Sequence, residues 1–143
     1  MKKQIISNSY LQTEDVGKKI AKEYNDYNFI ALYGELGVGK TVFVRGFVSH
    51  YYKNYIVKSP TFSIVNVYGD DKNPIYHFDM YRIMSDDDLY STGYYDYLDN
   101  GIVISEWSEN IPYALPSRYL KITIERVAND EEKRVITIET FGG

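Results

Sequence analysis

The run Gly34-Glu35-Leu36-Gly37-Val38-Gly39-Lys40-Thr41 has the composition and spacing of a phosphate cradle. Its glycines let backbone N–H groups turn inward on phosphate oxygens. The Lys40 ammonium would neutralise β/γ charge, and the Thr41 hydroxyl would ligate magnesium. Such a P-loop also needs a carboxylate at the end of a neighbouring strand, to hold the metal shell and orient the attacking water. Asp79 follows Ile75-Tyr76-His77-Phe78 and Glu106 follows Ile102-Val103-Ile104-Ser105, so each ends an apolar run where ligand crevices of α/β proteins lie. An acid at a strand end also serves as a helix cap, and position alone does not say which of the two would touch the metal. Ser59-Pro60-Thr61 could contact a γ-phosphate or magnesium as switch loops do, or simply form a turn. Trp107, the only tryptophan, either walls the site beside Glu106 or packs in the core. His77 stands inside a strand with no second metal-type ligand beside it and reads as structural. Asp86-Asp87-Asp88 reads as a solvated helix start.

These residues must be positioned by elements of the right type. Thr13 to Tyr27 places Val16, Ile20, Ala21 and Tyr24 at helical spacing behind a Thr13 cap. Phe29 to Tyr33 is a short apolar run that stops at glycine, which predicts a buried strand, and Val44, Phe47, Val48 and Tyr51 predict a helix opening at Lys40. The cradle thus sits between strand and helix, as a phosphate site requires. Thr61 to Tyr68 and Ile75 to Phe78 read as a hairpin around Gly69-Asp70-Asp71-Lys72-Asn73-Pro74. A helix is expected from Ser85 toward Leu98, broken by Asn100-Gly101, and a buried strand from Gly101 to Ser105. Tyr119–Glu125 and Arg134–Thr140 read as closing strands around the turn Asn129-Asp130-Glu131-Glu132. The 143 residues fit one domain, 1–143, with no repeat or linker.

Composition removes other classes. Sixteen basic residues against 20 acidic ones, a net charge of −4, give no electrostatic footprint for nucleic acid, so contact with RNA is expected only through a partner. Absence of cysteine excludes disulfides, thiolate metal sites and thiol nucleophiles, and fits the cytoplasm. No apolar signal-peptide core follows Met1-Lys2-Lys3, and no run reaches membrane-spanning length. The tyrosines are scattered, as for core edges and surface. No Asn-Lys-x-Asp occurs and no Asp is followed three residues later by Gly, so guanine-specific signatures are missing and ATP is the expected nucleotide. A small-molecule kinase needs clamping groups and a lid, commonly bearing arginine. Arg45, Arg82, Arg118, Arg126 and Arg134 are not expected to cluster, which weakens a stand-alone kinase reading without removing it.

The P-loop together with Val57-Lys58-Ser59-Pro60-Thr61-Phe62, Tyr76-His77-Phe78-Asp79-Met80-Tyr81-Arg82, Glu106-Trp107-Ser108-Glu109 and Leu115-Pro116 resembles the TsaE (YjeE) family over nearly the whole chain. The resemblance implies an α/β fold of P-loop NTPase type, a mixed β-sheet flanked by helices in three layers. It implies a magnesium-dependent ATPase, weak alone, that works with TsaD and TsaB in making threonylcarbamoyladenosine in tRNA. Hydrolysis would drive a conformational cycle, with the transfer itself on TsaD. By motif, Lys40 and the surrounding loop, Gly34 to Val42, would hold the phosphates. Thr41 and Glu106 would hold magnesium, Asp79 the metal shell or water, and Thr61 the switch contact. Trp107 would line the nucleotide, a family arginine that approaches it falls on Arg134, and the segment around Tyr10 to Thr13 would lie near the adenine. Glu35 stands where the family often has Asp, Val38 where Ala is usual and Val42 where a second Thr is common; the last removes an α-phosphate hydroxyl. Ser105 replaces an apolar residue, so its hydroxyl is expected to find a backbone partner or a magnesium-shell water.

Overall fold

Phe29 to Tyr33 is apolar at every position, so a strand there must be covered on both faces. The computed structural model, which describes residues 1–143, covers it in that way. In chain order the elements are β1 (Lys2–Ser7), α1 (Tyr10–Glu23), β2 (Phe29–Tyr33), α2 (Lys40–Tyr51), β3 (Val65–Tyr68), β4 (Ile75–Asp79), α3 (Asp86–Ser91), α4 (Tyr94–Tyr97), β5 (Ile102–Glu106), β6 (Tyr119–Val127) and β7 (Asp130–Phe141). Short 3₁₀ turns at Ser108–Asn110 and Pro112–Ala114 lead from β5 to β6. A single sheet runs β1-β7-β6-β2-β5-β4-β3. Its centre, β6-β2-β5-β4, is parallel, and β1, β7 and β3 are added antiparallel at the two sides.

Alternation along β2 builds both cores. Ile30 and Leu32 pack with Val16, Ile20, Phe43 and Phe47 of α1 and α2; Phe29 and Ala31 pack with Phe78, Leu89, Tyr94 and Ile111 on the opposite face. The three-layer α/β fold follows, with the parallel strands buried between helices. Their carboxyl ends carry the residues of interest.

Helices α1 and α2 approach through glycine. A Cβ on Gly46 would overlap the Glu14 carbonyl, and one on Gly17 the Phe43 carbonyl. Both obstacles are backbone, which cannot swing aside. Overpacking of this kind costs about 1–3 kcal/mol, so Gly46→Ala is expected to destabilise the fold by an amount near the top of that range, read from urea unfolding midpoints.

Several boundaries differ from those expected. Helix α1 starts at Tyr10, because Ser9 is the cap: its side chain accepts from the Gln12 N–H, while Gln12 Oε1 accepts from the Asn8 N–H at 2.7 Å. Thr13 lies buried inside the helix, its hydroxyl 2.8 Å from that of Ser7. The expected strand from Thr61 begins only at Val65. Pro60 opens a turn closed by Ile64 N–H on the Pro60 carbonyl, and Ile64 sits at φ 71°. Gly93, at φ 86°, splits the helix expected toward Leu98 into α3 and α4. The final hairpin turns more tightly than expected: Val127 pairs with Asp130 around Ala128-Asn129. Strand β1, not anticipated from its polar sequence, pairs with the far end of β7 as a sheet edge.

Candidate functional site

The cradle forms where β2 gives way to α2. Gly34 lies so close to the Ile124 carbonyl and the Val38 side chain that a Cβ would collide with both, and Gly39 takes φ 116° as the chain enters the helix. Helix α2 has no side chain capping its amino terminus. Its first N–H groups are therefore open to an anion, with the positive end of the helix dipole behind them. Lys40 is buried, donating to the Gly34 carbonyl at 2.7 Å, with its Nζ 3.8 Å from Glu106 Oε1 and 5.0 Å from the centre of the Trp107 ring.

Opposite the cradle, parallel pairing of β4 and β5 puts Asp79 directly beside Glu106. Both carboxylates are almost fully buried. Asp79 Oδ1 accepts from the Tyr81 N–H at 2.9 Å, and its own N–H donates to the Ile64 carbonyl, which ties the Pro60–Ile64 turn to the end of β4. Glu106 Oε2 accepts from His77 Nε2 at 2.5 Å while Oε1 faces Lys40. Trp107 turns left-handed at φ 59°, directing its indole along the cleft against the Tyr81 ring. Left-handed conformations cost a non-glycine residue about 1–3 kcal/mol; here Ile64 accepts from the Asp79 N–H through its carbonyl and Trp107 directly follows Glu106.

These groups line one cleft of about 700 Å³, within the range of small-molecule sites. Glu35, Leu36, Gly37, Gly39, Lys40, Thr41, Val42, Thr61, Asp79, Glu106 and Trp107 all reach it. Ser59, whose hydroxyl lies 2.7 Å from that of Thr61, Tyr10 and Tyr81 complete the wall. No arginine lines it.

The same arrangement has relatives. The family model described as "Threonylcarbamoyl adenosine biosynthesis protein TsaE" matches residues 7–136. The chain belongs to the TsaE family. A TsaE protein of Rickettsia prowazekii is 33% identical over 135 residues, covering 94% of each chain. One of Bacillus subtilis is 36% identical over 132 residues, covering 92% of this chain and 81% of the relative. Both relatives are named tRNA threonylcarbamoyladenosine biosynthesis proteins. The crystal structure of YdiB from Bacillus subtilis superposes with a TM-score of 0.78 at 30% identity, covering all of this chain and 87% of that one.

Three residues expected at the site of this TsaE-family chain stand behind it. The Gly34 carbonyl receives Lys40, and Val38 is buried in the core. Arg134 does not enter the cleft; its guanidinium is buried, donating to the carbonyls of Val38 at 2.8 Å, Glu131 at 2.7 Å and Lys133 at 2.9 Å. Its cross-strand neighbour Arg126 donates to the Leu36 carbonyl at 3.0 Å and lies 3.7 Å from Glu35. The two arginines therefore do cluster, through strand pairing that sequence separation hides, and they brace the loop from outside. Ser105 is satisfied by neither expected partner: its hydroxyl meets that of Ser108 at 3.0 Å, and Ser108 also donates to the Ser105 carbonyl.

His77, which reads as structural in the sequence, supports a carboxylate of the site. Fully buried, it holds Glu106 through one ring nitrogen and lies 3.2 Å from the Tyr68 hydroxyl through the other. Period-two alternation carried the signal, since His77 and Asp79 must share a face of β4.

Proposed function

We propose that the cleft binds and hydrolyses ATP with magnesium, and that the chain acts in tRNA threonylcarbamoyladenosine synthesis as the ATP-hydrolysing subunit beside TsaB and TsaD. The observation that carries this reading is the meeting, in one cleft, of the uncapped α2 amino terminus with Lys40 and Thr41 and the facing pair Asp79 and Glu106. The amides and Lys40 would hold the β- and γ-phosphates and stabilise charge as it develops on the transferred phosphoryl group. The carboxylates and the Thr41 hydroxyl form an all-oxygen set, which suits a hard cation. No group of three His, Asp or Glu could hold a metal by itself. That fits magnesium arriving with its nucleotide, whose phosphates supply ligands that the protein does not. Thr41 and Glu106 would hold the ion, where it would neutralise phosphate charge, and Asp79 would orient its water shell or the attacking water.

A cleft without arginine suits hydrolysis that depends on a partner better than clamped transfer to a small acceptor. The nucleotide cycle would move Ser59 to Thr61 and pass that motion to TsaB and TsaD, with tRNA met only through the complex, in the cytoplasm. No helix here is long and apolar enough to cross a membrane. The test is steady-state hydrolysis by the purified protein, expected to be slow alone and accelerated by TsaB with TsaD. Rapid phosphoryl transfer to a small acceptor without those partners would overturn the reading in favour of a kinase.

A further inference from the structure

A run of polar contacts, buried at its centre and partly buried at its ends, crosses the sheet beneath the cleft. It starts at the Lys58 carbonyl, 3.4 Å from the Tyr68 hydroxyl. It continues through His77 to Glu106, and from Glu106 through Lys40 to the Gly34 carbonyl. One end is the residue before Ser59-Pro60-Thr61 and the other is the first glycine of the cradle.

The chemistry of Glu106 fixes the direction of its bond to His77. A carboxylate only accepts, so His77 Nε2 carries the proton toward Glu106. The Tyr68 hydroxyl, kept protonated by burial that pushes it above its ordinary value, lies 3.2 Å from Nδ1 and 3.4 Å from the Lys58 carbonyl, and its one proton serves only one of them at a time. With one oxygen held by His77, the other is left to face Lys40 and the cleft. A glutamate has three side-chain torsions, and without that contact its carboxylate would be free to rotate.

We propose that His77 is a positioning residue: it fixes the rotation of the Glu106 carboxylate, with Tyr68 fixing the His77 ring, so that Glu106 presents one oxygen to the magnesium of a bound nucleotide. This rests on the nucleotide reading of the cleft. Residues that orient a metal ligand typically change metal affinity by about 10–100-fold when removed.

Trp107, alone of its kind and lining the cleft, supplies the readout. Affinity for a non-hydrolysable ATP analogue is measured by its fluorescence in EDTA and in excess magnesium, and the ratio of the two is the gain due to the metal. His77→Leu is expected to cut that gain about tenfold while leaving the affinity in EDTA within about a factor of two. His77→Gln, whose amide can donate from nearly the place of Nε2, is expected to recover most of it. Tyr68→Phe, which removes one hydroxyl and keeps the ring, is expected to reduce the gain about threefold, and it decides the matter if His77→Leu does not fold. A gain unchanged in Tyr68→Phe and in a folded His77→Leu, or a His77→Gln variant as impaired as the leucine one, would overturn the proposal. Wild-type protein showing no gain with magnesium would overturn the nucleotide reading as well, and so separates the two failures.

Discussion

Lys40→Ala is expected to lose nucleotide hydrolysis, by a factor of at least about 10²–10³, the usual consequence of removing one preorganised group that stabilises transition-state charge. The same substitution is expected to destabilise the fold. Lys40 and Glu106 are both buried, and removing one member of a buried ion pair costs about 3–5 kcal/mol; because Glu106 keeps its bond from His77, the cost is expected at the low end of that range. The two consequences can be separated. In Lys40→Ala/Glu106→Gln the orphaned charge is gone, so stability measured by thermal or urea unfolding should return most of the way while hydrolysis stays lost. A double variant as unstable as Lys40→Ala would show that the lysine acts on the fold through its bond to Gly34 and not through Glu106. Recovery of hydrolysis in the double variant would remove Lys40 from the phosphate site altogether.

Glu106→Gln alone is expected to behave oppositely in binding and in turnover. Glutamine keeps an oxygen for His77 and fills the same volume, so the strand end should stay in place. It removes the charge that engages Lys40, leaving the ammonium freer to meet phosphate. Affinity for ATP without magnesium should therefore be equal to or tighter than that of the parent protein, whereas hydrolysis in magnesium should fall by about 10²–10³. Isothermal titration in EDTA and a phosphate-release assay in magnesium measure the two quantities. Asp79→Asn is expected to weaken turnover less, because its Oδ1 is already engaged by the Tyr81 amide. If the two substitutions proved equal, metal and water would have to be shared between both carboxylates.

Sequence spacing carried the parts of the site that are local in the chain. The cradle needs only a strand, glycines and a helix within a few residues, and each leaves its own pattern. Asp79 and Glu106 were visible as the ends of apolar runs, and parallel pairing then brought them side by side. What escaped depends on pairing between distant segments. The bond from His77 to Glu106 exists because β4 lies beside β5, and nothing within the His77 segment announces that neighbour. Arg134 seemed a nucleotide contact because the resemblance placed an arginine there, yet the register of β6 with β7 turns it under Val38 instead. In the fold, the misread stretches share a cause. Around Ile64 and Gly93 a single left-handed residue ends one element and starts another, and a β-branched isoleucine gives no hint of that conformation. Strand β1 is polar because it is a sheet edge, so the hydrophobic alternation that reveals buried strands is absent from it.

The bracing of the cradle by Arg126 and Arg134 also sets an order in time. Arg126 stands 90 residues beyond Leu36, and Arg134 stands 96 beyond Val38. Strand β6, the parallel neighbour of β2, belongs to the same late segment. During synthesis the ribosome therefore releases the whole cradle long before the strand and the side chains that steady it. Pairings between segments so far apart form late, after local helices have come and gone many times. A chain without these strands would carry the cradle in a loop lacking its outer support, and under the proposed function competence to trap a nucleotide would come only with the β6–β7 hairpin. Bound nucleotide would then report that the β6–β7 hairpin is in place.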